Sequence, residues 1–188
     1  MRGVRLFVAI EIPAVVRQNL RELIARLRPK CKTAKWVRPE SMHLTLKFIG
    51  HVADEQLRPI REVLSAVHIA GQVEAQFRRV GFFPNEKRAR VVWAGAHVSA
   101  NLAELAAEID RGLAAVGIPS ETKPYSPHIT LARLHTPLGL AEIAREAQAA
   151  ANQNFGSLVT TQFQLFESKL KPSGAEYTSL ETFQFAKA

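Results

Sequence analysis

The sequence predicts an α+β fold: two related lobes with antiparallel sheets and outer helices around a central cleft. Three observations predict it. Segments rich in β-formers alternate with amphipathic segments, without the Val/Ile-rich runs or glycine-rich turns of a parallel doubly wound sheet. A His-x-Thr segment followed by a helix-forming segment occurs in each half, as "HLTLKF" at 43–48 and "HITLAR" at 128–133. No composition break marks a flexible linker, so residues 1–188 are expected to fold as one bilobal unit.

The elements follow in chain order. "VRLFVAI" (4–10) is a first strand; its apolar run is too short, and lacks the small-residue site, for a cleaved leader. Pro13 suits a helix start, and Val16, Leu20, Leu23, Ile24 and Leu27 recur at helical spacing up to Pro29. "CKTAKWVRPES" is a basic loop with a short strand around Trp36, and "MHLTLKFIG" is a strand closed by Gly50. Residues 54–67 read as a helix, with Pro59 pushing its true start later. "GQVEAQFRRVGFFP" alternates as a strand does, "NEKRAR" turns, and "VVWAGA" is a strand. Residues 99–116 carry the apolar stripe Leu102, Leu105, Ile109, Leu113 and Val116, with Ser99 or Asn101 as cap. "PSETKPYSP" is a stiff loop into the strand "HITLARL", and "LGLAEIAREAQAAANQ" is a helix. "FGSLVTTQFQLFESKL" and "EYTSLETFQF" are strands joined by a "KPSG" hairpin turn.

Composition narrows the class. Hydrophobic residues make up 47% of the chain, enough for a core, and no apolar run is long enough to span a membrane. A single cysteine, Cys31, precludes an intrachain disulfide and points to the cytoplasm; it reads as an incidental thiol in a basic loop. The net charge of +8 lies wholly within residues 1–50, which suggests an anionic partner near the first His-x-Thr, or a solvated helix face.

Strand alternation sets His43 beside Thr45 and His128 beside Thr130, with Leu44, Leu46, Ile129 and Leu131 facing a core. An imidazole moves a proton near neutral pH, and a threonine hydroxyl donates to an oxyanion. Two such pairs facing each other supply a base, an acid and two donors for a tetrahedral anion, with no covalent intermediate. The metal reading is weaker: two histidines with no Asp, Glu or Cys at ligand spacing make a poor zinc site. By the same alternation Lys47 shares the histidine face, where it reaches a phosphate or is solvated. Lys32, Lys35 and Arg38 belong to the basic segment and are placed to track an RNA backbone. Trp36 and Tyr125 precede the motifs, flanking a base or packing in the core. His51, His68, His97 and His135 read as surface residues.

"HLTLKFIG" and "PHITLARL" resemble the paired motifs of the two-histidine (2H) phosphoesterases, and within them the bacterial and archaeal RNA 2′,3′-cyclic phosphodiesterases, also called 2′-5′ RNA ligase-like proteins. "RLFVAIEIP", "WVRPES", "RVVWAG" and "SKLKPSGAEYTSLETF" resemble the flanks, so the likeness spans nearly the whole chain. The resemblance implies a catalytic domain that hydrolyses the 2′,3′-cyclic phosphate terminus of an RNA to a 2′-phosphate, with no metal, no cofactor and no membrane. It implies His43 as the general acid on the 3′ leaving oxygen and His128 as the base that activates water. Thr45 and Thr130 would bind phosphate oxygens, Phe48 would stack on the terminal base, and Arg133 would grip the phosphate.

The residues read on their own leave alternatives: Phe48 as a core aromatic, Arg133 in a surface salt bridge, and either histidine as the acid. Strict alternation sets Phe48 and Arg133 opposite the histidines. The implied roles therefore require each strand to bend, bulge or end near its fifth motif residue. A small-nucleotide cyclic phosphodiesterase, a reversible 2′-5′ RNA ligase and a non-catalytic RNA-binding module are the competing functions. The oligomeric state is open, with a monomer expected.

Overall fold

The computed structural model describes residues 3–171 and 174–185. Among the described residues nine strands form two antiparallel sheets. The first has four strands in the order β3-β1-β8-β9: His43–Ala53, Gly3–Glu11, Gln162–Lys171 and Gly174–Gln184. The second has five, β2-β6-β5-β4-β7: Lys35–Trp36, His128–Arg133, Val91–Val98, Val73–Phe83 and Asn154–Thr160. Four helices connect them: α1 (Ala14–Leu27), α2 (Leu57–Ala66), α3 (Ala100–Ala115) and α4 (Leu140–Ala149).

The strand orders match. With the short β2 set aside, each sheet reads motif strand, partner strand, then two more, and a helix joins partner to motif in both: β1-α1-β3 and β5-α3-β6. Each sheet carries one His-x-Thr strand, so the repetition seen in the sequence is also a repetition of topology.

Most elements form where their patterns predict. The α1 stripe Val16, Leu20, Leu23, Ile24 and Leu27 is buried, and so are Leu102, Leu105, Ile109 and Leu113 of α3. These residues join the core faces of both sheets in one contiguous cluster. Each fully buried aliphatic side chain contributes about 1.5–3 kcal/mol, and this cluster draws on residues of both sheets. Helix α1 packs across to the second sheet: the Asn19 amide donates to the Phe155 carbonyl at 3.0 Å, and Arg26 to Gln153 at 2.8 Å.

Four expectations are corrected. The first motif strand runs through Gly50 to Ala53, because the glycine takes a left-handed turn (φ 88°) inside the strand and does not end it. The 155–170 segment is two strands in different sheets, since the chain crosses over at Thr161, whose carbonyl accepts the Phe185 amide at 3.0 Å. Ser99 precedes α3 but does not cap it with its side chain; its hydroxyl accepts the Glu74 amide and donates to Asn101. Cys31 is no loose loop thiol: it is buried at 2% exposure, with Sγ 3.0 Å from the Leu138 carbonyl. The turn expected at "KPSG" falls at residues 172–173, outside the described residues. Among the described residues no helix is long and apolar enough to cross a membrane.

Candidate active site

Both motif strands bulge at the same place. In β3, Val8 pairs with Lys47 and Ala9 with Thr45, so Leu46 is skipped. In β6, Val92 pairs with Ala132 and Trp93 with Thr130, so Leu131 is skipped. The skipped residue is the fourth of each motif. A single extra residue reverses strand parity beyond it. Before the bulge, His43 and Thr45, like His128 and Thr130, face away from the core. After it, Phe48 and Arg133 return to the histidine face, while Leu46 with Lys47, and Leu131 with Ala132, are consecutive buried residues. The second bulge forms without any glycine in the strand.

This parity change corrects the expectation for Lys47. Its side chain turns into the core side, 2% exposed, and its ammonium donates to Asp110 Oδ1 and to the Pro119 carbonyl, both at 2.6 Å. Its ammonium is therefore taken up by partners within the protein, although the residue borders the cleft. Phe48, by contrast, is 54% exposed and is not a core aromatic. Arg133 is exposed, with no salt bridge among the described residues, and its charge acts on His128.

The two imidazoles are held alike. His43 Nδ1 lies 2.9 Å from the Ser41 carbonyl and His128 Nδ1 lies 2.7 Å from the Ser126 carbonyl. A carbonyl only accepts, so each Nδ1 carries the proton and each Nε2 is left to exchange one. The sequence carried a signal for this, a serine two residues before each histidine, but the contact is to the main chain and did not demand that side chain.

Their surroundings differ. His43 sits over Phe7 (ring centroids 4.6 Å apart) and against Tyr177 (5.1 Å, edge-on), on an apolar patch of Phe7, Ala9 and Phe166. Burial pushes its pKa down to about 4; the bond to Ser41 opposes this and the charge of His128 adds to it. His128 meets Phe83 edge-on at 4.9 Å and Trp93 at 6.5 Å. Burial lowers its pKa too, opposed by the Ser126 carbonyl and reinforced by Arg133. These aromatic neighbours come from strands distant in sequence, and nothing near the motifs announces them.

The two halves meet in a cleft of about 790 Å³ lined by Thr45 and Phe48 from one motif strand and His128 from the other, with Phe83 and Tyr125 between. Tyr125 donates its hydroxyl to the Thr45 carbonyl at 3.0 Å. Trp36 lies half-buried against the core, its indole donating to the Cys31 carbonyl, so it takes no part in the cleft. Lys35 pairs with Arg133 across β2 and β6, whereas Lys32 is exposed and Arg38 bonds the Ala175 carbonyl. His51, His68, His97 and His135 are exposed. Among the described residues no group of three or more His, Cys, Asp or Glu side chains is gathered to hold a metal ion.

The family model described as LigT like Phosphoesterase matches residues 10–93 and 96–177. The chain belongs to that family. This LigT-like phosphoesterase is 38% identical to an RNA 2′,3′-cyclic phosphodiesterase of Thermus thermophilus over 95% of this chain and 89% of that one. It is 31% identical to the RNA 2′,3′-cyclic phosphodiesterase of Methanothermobacter thermautotrophicus, over 96% and 98% of the two chains. The crystal structure of E. coli LigT complexed with 3′-AMP superposes on the phosphoesterase with a TM-score of 0.80 at 25% identity, covering 99% of this chain and 100% of that one. That likeness extends to the two-sheet architecture described above.

Proposed function

We propose that this chain is an RNA 2′,3′-cyclic phosphodiesterase that opens a terminal cyclic phosphate to a 2′-phosphomonoester. The observation that carries the reading is the matched pair of imidazoles, each with Nδ1–H tied to a main-chain carbonyl and Nε2 left to exchange a proton, close enough that the charge of His128 lowers the His43 pKa. The names of relatives at 31% and 38% identity support the same chemistry.

In this mechanism water attacks phosphorus in line with the P–O3′ bond. His128 Nε2 accepts the water proton as the new P–O bond forms. His43 Nε2 gives a proton to O3′ as the P–O3′ bond breaks, leaving the phosphate on O2′. Thr45 and Thr130 hydroxyls donate to the non-bridging oxygens, and the Arg133 fork neutralises the charge that gathers there. Phe48 offers an exposed ring face to the terminal base. In the free protein burial pushes both imidazoles toward the neutral form. The acid therefore takes its proton together with the anionic substrate, whose charge favours the imidazolium.

The test is turnover of an oligoribonucleotide with a 2′,3′-cyclic end, in EDTA, with the position of the product phosphate identified. A 2′-phosphate product, lost in His43→Ala and in His128→Ala, is expected. Full activity in either variant, or a 3′-phosphate product, would overturn the reading. Substituting a cyclic mononucleotide in the same assay separates RNA end processing from small-nucleotide chemistry, and supplying a 5′-hydroxyl RNA reports any 2′-5′ ligation.

A further inference from the structure

A second groove, of about 960 Å³, lies beside the edge of β4 and is lined also by β5 and α4. Ser126, whose carbonyl holds His128, lines both spaces. β7 pairs with β4 only between Val73 and Arg78, so the stretch of β4 beyond Arg78 is free on that side.

Three features of this groove have no role in the cleft itself. The first is a pair of successive cations. Side chains of adjacent strand residues normally point to opposite faces. Here β4 bulges between Arg78 and Val80, and Arg79 takes φ 65°, a conformation costly for a residue with a Cβ. The bulge lets Arg78 and Arg79 both line the groove. Both are exposed and neither has a salt-bridge partner among the described residues, while Glu86 is the one carboxylate along the lining. The second feature is Trp93, opposite Thr130 in register and 6.5 Å from the His128 ring. Its indole lies over Gly81 and Gly95, where a Cβ on Gly81 would overlap the ring, and its buried Nε1 has no partner. The third is a set of side-chain donors and acceptors, Gln148 from α4, Asn152 from the turn after it and His97 from β5.

We propose that this groove binds the single-stranded RNA on the 5′ side of the reacting terminus. Arg78 and Arg79 take successive phosphodiesters, and Trp93 presents its ring to the nucleotide next to the one held in the cleft. Guanidiniums along a backbone with an interleaved aromatic make a sequence-tolerant strand track. The inference rests on the proposed RNA phosphodiesterase activity and extends it from the terminal nucleotide to the polymer.

The experiment compares a pentaribonucleotide carrying a 2′-phosphate end with the matching nucleoside 2′-phosphate, both by calorimetric binding. The cyclic-ended forms of each are assayed for turnover in parallel. The variant is Arg78→Ala with Arg79→Gly, the glycine being suited to the positive φ. The native protein is expected to bind the pentamer at least about tenfold more tightly than the mononucleotide. In the variant that advantage is lost, the slope of log K against log salt becomes shallower by about 1.4 for two phosphate contacts, and mononucleotide turnover is unchanged. Equal affinity for the two ligands in the native protein would overturn the inference, and so would a variant that keeps the advantage or weakens both ligands alike. If neither cyclic substrate turns over, the phosphodiesterase reading fails, and the binding comparison still decides the groove.

Discussion

Tyr125 and Thr45 are joined by a 3.0 Å hydrogen bond from the phenol to the main-chain carbonyl, which ties the loop entering the second motif to the strand of the first. Burial raises the phenol pKa well above its ordinary value, so the hydroxyl stays a donor at every assay pH. Tyr125→Phe removes that tie and nothing else of its size. Stability should fall by about 1 kcal/mol in urea unfolding, and kcat should drop severalfold with no change in the shape of the pH profile. An unchanged kcat would mean the tie does not align the two motifs.

Lys47 makes a second tie between the same regions, from the bulged strand to Asp110 of α3 and to the Pro119 carbonyl. Burial works to raise the Asp110 pKa, but the Lys47 ammonium and the Glu121 amide outweigh it and hold the carboxylate below its usual range. Lys47→Met strands the carboxylate and the carbonyl. Because Asp110 remains part-exposed, the cost should fall near the low end for a broken buried pair, about 3 kcal/mol. Lys47→Met with Asp110→Leu should recover at least half of that loss, because an apolar pair of similar volume is close to neutral. A double variant no more stable than the single would refute this account of the pair.

Arg133 offers charge and geometry separately. With no salt bridge to break among the described residues, Arg133→Lys should leave stability within about 0.5 kcal/mol. It should still cost about tenfold in kcat/KM, because an ammonium cannot reproduce a bidentate contact. Arg133→Met removes a cation that depresses the His128 pKa, so the His128 resonance should titrate at higher pH in that variant and stay near native in Arg133→Lys. Equal kcat/KM for the native protein and Arg133→Lys would leave only a surface role.

The histidines give two pH signatures. kcat/KM reports the free protein, in which both imidazoles lie below 6.5, so its bell should peak on the acid side of 6.5. kcat reports the complex, where a bound phosphate anion raises both values, so its bell should sit at higher pH; superimposed profiles would exclude this coupling. For stability, the folded value of His43 is lowered from 6.5 to about 4. The unfolded chain therefore binds the proton first as pH falls, and stability is lost between about pH 6.5 and 4, by up to about 3 kcal/mol. His43→Gln should flatten the unfolding free energy across that window.

The sequence by itself determined the periodicities and the doubled motif, because both are local. An i, i+2 pair faces one way on an unbulged stretch of strand, and α1 and α3 bury the stripes their spacings define. Two copies of a His-x-Thr-Leu motif in one chain already pointed to a two-sided site, and with their flanks they carried the resemblance to a family. What only the tertiary structure decided is where side chains point beyond position four. The bulges at Leu46 and Leu131 exist because β1 and β5 pair out of step with the motif strands, and pairing between distant segments leaves no mark on the strand that yields. That slip turns Phe48 and Arg133 to the histidines and sends Lys47 to Asp110. Tertiary contact likewise set the difference between the two imidazoles, since burial against Phe7, Phe166 and Tyr177 depends on strands far along the chain.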